Sequence, residues 1–506
     1  MKGRFFENAK NRVVAIGALI MALHLIVTLF IGPRIGMADN GDFYREIQNV
    51  GIYYTTDNYA DRHFGYFNRF YGIREYETDG GTGFVSSLSL VIRAALILDT
   101  AVTGDNVFNI SFLAGLYAAG FLFVFYTLLK ELTRDMNLTM TFITAALLFF
   151  ILGDVGYLAY FNSFYGDPLS FLGMLLTFAC LLRVIRKDKP GLPDLLLFGA
   201  SVIVFVGAKQ QNSPVGILLA AFIVRLAFIR KDKAWRIAAV SMAGVVAISS
   251  GLFYFLIKDD IVHINQYHAL TRGILENSDD PEGDLAKLGI DSEFALVSGS
   301  TYYDSYGLED AESDLMQEEF YSKYGFTGII KYYVTHPGRL MEKLDMAARN
   351  GFAIRPEVMG NYEKEAGNSY GAKTNYFTLW SSVKTRLFPG SFKFVLAFYL
   401  LFYGVIAKRY MKAMKNGNTR QRITLEFLAL VGIIGVIQFG VAFVGAGDAD
   451  LGKHLFLFNL CFDVMFATLV LSALQSLLNR SGIAERLGAF IWKPKSSISG
   501  SSSSSQ

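Results

Sequence analysis

The sequence predicts an all-α polytopic membrane protein with about ten transmembrane helices. Of its 506 residues, 52% are hydrophobic and only 18% are charged, and the mean hydropathy is +0.34. Soluble chains usually carry about a quarter charged residues. The apolar residues also cluster in blocks, and basic clusters recur between those blocks. These observations together favour a chain that crosses a bilayer repeatedly.

The apolar blocks approach the roughly 20 residues that a spanning helix needs. Several are short and need their aromatic or polar flanks to complete a span. The first block is longer than a signal-peptide core and lacks a small-x-small cleavage site, so we expect it to remain as a helix. The blocks lie near residues 13–32, 107–129, 138–153, 168–185, 194–208, 214–229, 236–257, 390–407, 424–444 and 454–475.

Basic residues give the predicted orientation, because loops on the cytoplasmic side are enriched in Lys and Arg. With an even number of spans, all the basic clusters and both termini are cytoplasmic. The clusters lie within residues 2–12, 130–134, 183–189, 230–236, 408–422 and 480–495.

Residues 83–98, GFVSSLSLVIRAALIL, are apolar enough for another span, but polar residues recur along one side. Thr82, Ser86, Ser89 and Arg93 are spaced by four, three and four positions. One polar stripe on an apolar helix favours a helix lying in the outer interface. A span here would also invert every basic loop downstream. A tilted or re-entrant span is the alternative.

The predicted organisation has four parts, and the third consists of the three C-terminal transmembrane helices. An N-terminal transmembrane module contains the first outer loop, residues 33–105. The outer domain is predicted to be small and mainly helical, with one amphipathic helix over residues 328–352. The serine-rich tail is predicted to end in disorder. The four parts are residues 1–257, 258–389, 390–478 and 479–506.

Polar motifs at the ends of the apolar blocks all fall on the predicted outer side. Ionisable groups at membrane depth are costly and usually functional. Since the connecting loops are short, they must pack against other segments, which predicts one shared pocket. The motifs are ADNGDF (38–43), YFNSFYGDP (160–168), GAKQQNSP (207–214) and GAGDADLGKH (445–454).

Such a pocket suits an amphiphile whose charged head reaches the membrane surface. A carboxylate can take a proton from an attacking hydroxyl, and lysines can offset the charge of a phosphate leaving group. Asn162 and Tyr165 are candidates to line a sugar pocket. A lipid-linked sugar is the predicted donor, because no nucleotide pool is expected outside the cell. The net charge of +3 gives no indication of nucleic acid.

The layout and these motifs resemble the GT-C superfamily of integral-membrane glycosyltransferases, which use polyprenyl-phosphate-linked donors. GDADLGKHLFLFN is also similar to a motif of bacterial glycan hexosyltransferases of the WsfD type. The resemblance implies that Asp42 is the catalytic base, with Asp39 the competitor, because D-N-G-D departs from the adjacent Asp-Glu of some members. It implies further substrate contacts from Asp167, Lys209, Lys453 and His454.

Gln210, Asp448 and Arg272 complete the predicted substrate-binding residues. Asp448 and Asp450 form a D-x-D string, which soluble nucleotide-sugar enzymes use to hold a metal, but its outward position disfavours that role. A divalent metal, Mg or Mn, remains open, with no ligands assigned. Simpler interpretations compete: ADNGD as a plain turn, Asp167 as a helix cap, and Lys209 as a snorkelling lysine.

The sequence therefore predicts an extracytoplasmic hexosyltransferase in a bacterial plasma membrane. It would move a hexose from a polyprenyl-phosphate carrier to a cell-envelope glycan, polymer or lipid acceptor, with inversion. A lipid-linked glycan transporter or flippase is the alternative from another class. A transporter is expected to have ionisable residues deep within its spans and paired broken helices. A polymerase or ligase that uses diphosphate-linked glycans is chemically close.

Overall fold

The computed structural model describes residues 2–74, 86–256, 259–304 and 311–481. Each apolar block of the sequence forms a helix, which confirms the prediction of an all-α polytopic architecture. Much of the serine-rich tail lies outside the described residues. The helices are Lys2–Phe30, Ser111–Thr133, Leu138–Leu152, Asp167–Arg186, Leu192–Val206, Ser213–Leu226, Lys233–Phe255, Phe392–Lys415, Thr419–Ala446 and Phe456–Ser481.

Fewer helices than predicted are long enough to cross a membrane. Within the described ranges seven qualify by length and composition, and an eighth span results if Leu138–Leu152 and Val155–Phe161, bent by 48°, count as one. Leu192–Val206 and Ser213–Leu226 contain only 15 and 14 residues. At 1.5 Å per residue they reach roughly 21–23 Å, short of a hydrocarbon core of about 30 Å. The expectation of about ten spans exceeds this count.

The first outer loop contains a small sheet that the all-α prediction missed. Strands Ile52–Tyr53, Phe70–Ile73 and Val107–Asn109 pair antiparallel in that order. Each strand is only two to four residues long, too short for a periodic pattern to indicate it. The sheet ties the start of the loop to its end, next to the short helix Tyr44–Ile47.

The predicted interfacial segment forms the helix Ser87–Thr103, while residues 82–85 lie outside the described ranges. The Ser86 hydroxyl caps it by accepting the Ser89 N–H, and Gly104, with φ of 67°, ends it. Leu90 and Val102 are exposed, whereas the polar stripe faces the first outer loop. With 17 residues, it is not among the helices that qualify as spans. Its place in the interface remains a prediction.

The described part of residues 259–389 is mainly helical, as predicted. The single amphipathic helix expected over 328–352 is instead two helices, Phe326–Thr335 and Pro337–Asn350. Pro337 causes the break, because it has no N–H and disfavours helical geometry in the residue before it. The other helical segments are Asp259–His268, Pro281–Leu288, Asp314–Met316 and Leu379–Leu387, with wider turns at Ala269–Leu275 and Gln317–Tyr321.

Candidate active site

Segments far apart in sequence meet at one end of the bundle, where two cavities adjoin. The larger one, which we call the outer cleft after the predicted orientation, measures about 1420 Å³ and is lined by polar, charged and apolar side chains. The other, of about 580 Å³, is mostly apolar. Asp42, Arg45 and His454 line both cavities. The junction therefore joins a place for polar groups to a place for an apolar chain. Of the predicted site residues, the apolar cavity brings together Asp42, Tyr165, Asp167, Lys209, Gln210, Lys453 and His454.

Asp42 is held between two cations. One carboxylate oxygen contacts Lys453 Nζ, and the other lies 3.3 Å from Arg45 Nη2. Burial alone would raise the pKa of Asp42, but Lys453, and then Arg45, hold that pKa well below its usual range. Asp42 is therefore fully ionised at neutral pH in this state.

Lys453 lies at the centre of the charged group. Its Nζ is 3.0 Å from Asn40 Oδ1 and 4.1 Å from the centroid of the Tyr165 ring. The short helix Leu451–His454 presents it, and this helix follows Asp450, whose φ of 49° is left-handed. A buried ammonium thus contacts an aspartate, an amide and an aromatic face at once.

Asp450 is a second carboxylate beside Lys453. The Asn40 side-chain amide donates to it. Burial raises the pKa of Asp450 to about 6, and Lys453 opposes that rise. The two carboxylates around one ammonium therefore differ in charge state: Asp42 is firmly ionised, and Asp450 titrates near neutral pH.

Asp39 has a different environment from Asp42, although only two residues separate them. Its Oδ1 accepts the N–H groups of Gly41, at 2.8 Å, and Phe43, at 3.1 Å. Its Oδ2 accepts the Tyr54 hydroxyl at 2.8 Å and lies 3.4 Å from His63 Nδ1. Asp39 thus binds backbone and hydroxyl groups that order the loop, whereas the partners of Asp42 are two side-chain cations, and this difference favours Asp42 as the carboxylate for chemistry.

Asp167 and Lys209 form a second charged pair in the apolar cavity. Lys209 Nζ donates to Asp167 Oδ1 at 2.9 Å. Asp167 is 1% exposed, and its Oδ2 is buried with no hydrogen-bond partner among the described residues. Asp167 opens the helix Asp167–Arg186 but makes no side-chain cap. The simpler interpretation as a cap therefore loses support, and one carboxylate oxygen stays free to accept.

Two residues that were predicted to contact substrate bind other parts of the protein instead. Asn162 Nδ2 donates to Leu29 O at 3.2 Å and Ile35 O at 2.8 Å, which ties down the end of the first helix. Arg272 Nε lies 2.6 Å from Asp448 Oδ1, joining the outer domain to the turn before Lys453. Neither Asn162 nor Arg272 lines the two cavities.

Four residues of the site were not among those predicted to act in it: Asn40, Arg45, Glu46 and Asp450, of which Asp450 was considered only as part of the D-x-D string. Arg45 and Glu46 follow Asp42 by three and four positions, which puts them on the same side of a helical turn. Glu46 is 6% exposed and accepts the hydroxyls of Ser86 and Ser89 at 2.8 and 2.7 Å. The polar stripe on residues 86–93 was the signal, because it needed a polar partner.

The residues around Asp42 do not fit the divalent metal considered from the sequence. In the part of the chain that the structure describes, no three His, Cys, Asp or Glu side chains form a group that could hold a metal ion. The Lys453 ammonium and the Asn40 amide already contact Asp42 and Asp450, respectively. We therefore derive no step through a metal.

Fold and site define a multi-pass, all-helical membrane protein with a charged pocket at one end of its bundle. The chain belongs to the family of the YfdI N-terminal transmembrane domain, whose model matches residues 3–486. The protein YfdI of Escherichia coli (strain K12) is 22% identical over 349 residues, which cover 68% of this chain and 71% of that protein.

Two solved structures from Archaeoglobus fulgidus are loosely similar. The apo oligosaccharyltransferase aligns with a TM-score of 0.41 and 13% identity, over 95% of this chain and 52% of that one. AglB in complex with an inhibitory peptide and a dolichol-phosphate aligns with a TM-score of 0.39 and 11% identity, over 94% and 54%. The chain spans about half the length of these proteins. Such scores transfer neither residue roles nor activity.

Proposed function

We propose that this chain is a membrane glycosyltransferase of the GT-C type, a hexosyltransferase acting on the extracytoplasmic face of a bacterial plasma membrane. It would transfer a hexose from a polyprenyl-phosphate-linked donor to a cell-envelope glycan, polymer or lipid. The observation that carries the proposal is that Asp42 lines both the outer cleft and the apolar cavity. A carboxylate at that junction can meet an acceptor from one side and a lipid-linked donor from the other.

The apolar cavity suits the donor. One wall is formed by the helix Thr419–Ala446, and Lys209, Lys453 and His454 also line the cavity. A polyprenyl chain would lie along the wall, with its phosphate near the two lysines. Burial, and then Lys209 and Lys453, lower the pKa of His454 to about 3, so it is neutral and can donate a hydrogen bond without adding charge. The wall residues include Val436, Ile437, Gly440, Val441 and Val444.

The outer cleft suits a glycan acceptor. At about 1420 Å³, it exceeds the roughly 300–1000 Å³ of a small-molecule pocket, which leaves room for several sugar units. Aromatic rings and polar side chains, the groups that stack on and hydrogen-bond to sugars, line it together. They include Tyr44, Tyr53, Tyr54, Tyr59, Arg62 and Tyr303.

In the proposed reaction an acceptor hydroxyl oxygen bonds to the anomeric carbon of the hexose. The bond from that carbon to the phosphate oxygen breaks, and polyprenyl phosphate leaves with the electron pair. The hydroxyl proton passes to Asp42, and the configuration inverts. The free Oδ2 of Asp167 would accept a hydrogen bond from a sugar hydroxyl.

Donor binding would also activate the base. With Lys453 and Arg45 beside it, Asp42 has a low pKa and is a weak base, since a general base works best with a pKa near the operating pH. A donor phosphate would compete for Lys453. Asp42 would then lose part of its interaction with Lys453, and its pKa would rise towards the operating pH.

The test uses the full chain in lipid nanodiscs with a panel of polyprenyl-phosphate hexoses. Released polyprenyl phosphate reports donor cleavage, and a shift in melting temperature reports donor binding. We expect Asp42→Asn to fold and bind donor while cleavage falls about 10²–10⁴-fold. Asp39→Asn should lower the melting temperature and spare more of the activity, and the exposed Asp279→Asn should match wild type. Full cleavage in Asp42→Asn would remove the base assignment.

The other classes give different results with the same material. Movement of a lipid-linked sugar across sealed vesicles, without a new glycosidic bond, would indicate a transporter or flippase. Use of diphosphate-linked glycans alone would indicate a polymerase or ligase. We expect neither, because Asp42 lies where the outer cleft meets the apolar cavity, within which Lys209 and Lys453 are the lysines available to one phosphate.

A further inference from the structure

A third cavity, of about 620 Å³, has arginines at the opposite end of the bundle from Asp42 and extends inward between the helices as far as Asp463. The helix Asp167–Arg186 contributes Asp167 to the candidate site and Arg186 to this third cavity. Its 20 residues correspond to roughly 30 Å, so Asp167 and Arg186 are separated by about the thickness of a bilayer core. No step of the proposed transfer uses this cavity, and the inference below does not depend on the transferase proposal.

The walls of the third cavity are apolar and come from several helices. Such walls accept a hydrocarbon chain, because the chain buries apolar surface without leaving polar groups unsatisfied. Asp463 lies in the lining but is fully buried and paired with Lys384 at 2.7 Å, so it presents no free charge. The apolar lining includes Leu128, Leu148, Leu175, Phe178, Leu182, Leu425, Leu428 and Leu471.

The mouth of the third cavity is cationic. Arg186, Arg409 and Arg420 line it, with Asp135 as the acidic residue beside them. Arg409 forms no ion pair within the described ranges. The nearest carboxylate oxygens to Arg186, those of Glu131 and Asp135, are each 3.7 Å away.

Arg186 also has hydrogen-bonding capacity to spare. Its Nη1 is buried and lies 3.7 Å from Glu131 Oε2, too far for a hydrogen bond, and it makes no hydrogen bond elsewhere among the described residues. Leaving a charged donor buried and unsatisfied is costly. The guanidinium fork matches a phosphate, because it can donate two parallel hydrogen bonds.

We propose that the third cavity binds an anionic glycerophospholipid. One acyl chain lies between the helices, and the headgroup phosphate contacts Arg186 and Arg409. Basic pockets between transmembrane helices on the cytoplasmic side take anionic headgroups, and this end of the bundle carries the predicted cytoplasmic basic clusters. The two arginines favour a negatively charged headgroup, and the apolar walls hold the acyl chain.

Native mass spectrometry of the delipidated full chain tests this inference with two lipids of equal chain length. We expect dioleoyl-phosphatidylglycerol to be retained more tightly than dioleoyl-phosphatidylcholine. Arg409→Gln and Arg186→Gln should each weaken retention of phosphatidylglycerol about fivefold, from about 1 kcal/mol per arginine near the surface. Arg409→Lys should keep most of the retention of phosphatidylglycerol. Lys415→Gln, an equal charge change on the exposed end of the same helix, should change nothing.

Equal retention of the two lipids, or unchanged retention in Arg409→Gln, would overturn the inference. So would polyprenyl phosphate displacing phosphatidylglycerol in an Arg409-dependent way, because the cavity would then belong to a carrier lipid. Melting temperatures without lipid identify any variant that fails to fold. Arg409 is only partly buried, so its variants decide the question if Arg186→Gln does not fold.

Discussion

Asp42 and Glu46 lie one helical turn apart and line the same apolar cavity, yet their surroundings shift the two pKa values in opposite directions. Asp42 contacts the cations Lys453 and Arg45, which hold its pKa well below the usual range despite burial. Glu46 accepts two serine hydroxyls, and burial raises its pKa to about 7 against their effect. Burial disfavours charge on both carboxyls, and only a cation in contact reverses that effect.

The site therefore contains two carboxyl groups that differ in how readily they hold a proton. Asp42, Arg45 and Lys453 line the cavity, and we call them the cation side. Glu46 lines it too, and we call Glu46 with its hydrogen-bond partners Ser86 and Ser89 the hydroxyl side. At neutral pH the cation side carries a full carboxylate charge, while the hydroxyl side carries a carboxyl that is partly protonated. Environments that separate the pKa values of neighbouring acids often mark acid and base roles.

The largest expected effect comes from removing the cation. Lys453→Met leaves Asp42 and Asp450 without the ammonium between them, and two adjacent carboxylates resist being ionised together. We expect donor cleavage to fall about 10³-fold, which is the scale for losing one preorganised electrostatic group. Released polyprenyl phosphate is the measurement.

Lys453→Arg is the matched variant, because it keeps the positive charge but replaces the ammonium with a planar guanidinium. We expect it to recover part of the activity and most of the melting temperature. Wild-type cleavage in Lys453→Met would show that the cation side is structural only.

A smaller effect is expected at the second lysine. Lys209→Met removes the 2.9 Å contact to Asp167 and one cation proposed to hold the phosphate. Donor affinity should fall about 10–100-fold, the equivalent of one charge-assisted hydrogen bond, with the cleavage rate at saturation less affected. Titration by thermal shift measures the affinity. The exposed Lys189→Met, at the other end of the bundle, is the control, and equal affinities in the two variants would contradict a phosphate role.

The hydroxyl side predicts a dependence of stability on pH. The pKa of Glu46 is about 7 in the folded chain against 4.5 as the reference value. Folding therefore takes up a proton between these pH values, and stability falls as pH rises from about 4.5 to 7. Glu46→Gln should abolish this component, which amounts to up to about 3 kcal/mol. Melting temperatures of variant and wild type across pH 4.5–8 give the difference.

Buried histidines change the folding stability with pH in the opposite direction, so their contribution must be separated from that of Glu46. Burial lowers the pKa of His268 to about 4, so this residue favours stability as pH rises towards 6.5. The difference between Glu46→Gln and wild type cancels this contribution. A difference that stays constant with pH would mean that Glu46 is ionised throughout.

The smallest expected effect is the loss of one hydroxyl. Ser89→Ala removes the 2.7 Å bond to Glu46, so the pKa of Glu46 should rise further. We expect a loss of about 0.5–1.5 kcal/mol at pH 8 and less at pH 5, where Glu46 is protonated. Thr100→Ala, on the exposed side of the same helix, is the control and should show no such difference between the two pH values.

Sequence reasoning succeeded where a pattern was long or repeated. The apolar blocks are long, so the helices fall close to the expected residues. The motifs around Asp42, Asp167, Lys209 and Lys453 were expected to share a pocket, and these residues do line one cavity. The short strands of the first outer loop were missed because they are too short for a periodic pattern to indicate them. The break at Pro337 was missed although a proline within a helical pattern ends or kinks the helix at the preceding residue.

The sequence by itself determined the class of protein, because burying roughly twenty apolar residues per helix leaves few alternatives to a membrane. It also determined which short polar motifs had to be buried near helix ends. Only the tertiary structure decided the role of each carboxyl, since that depends on partners distant in the chain: Lys453 for Asp42, Ser86 and Ser89 for Glu46, and Tyr54 for Asp39. Electrostatic interactions act over a few ångströms in space, and a sequence does not record which residues come that close.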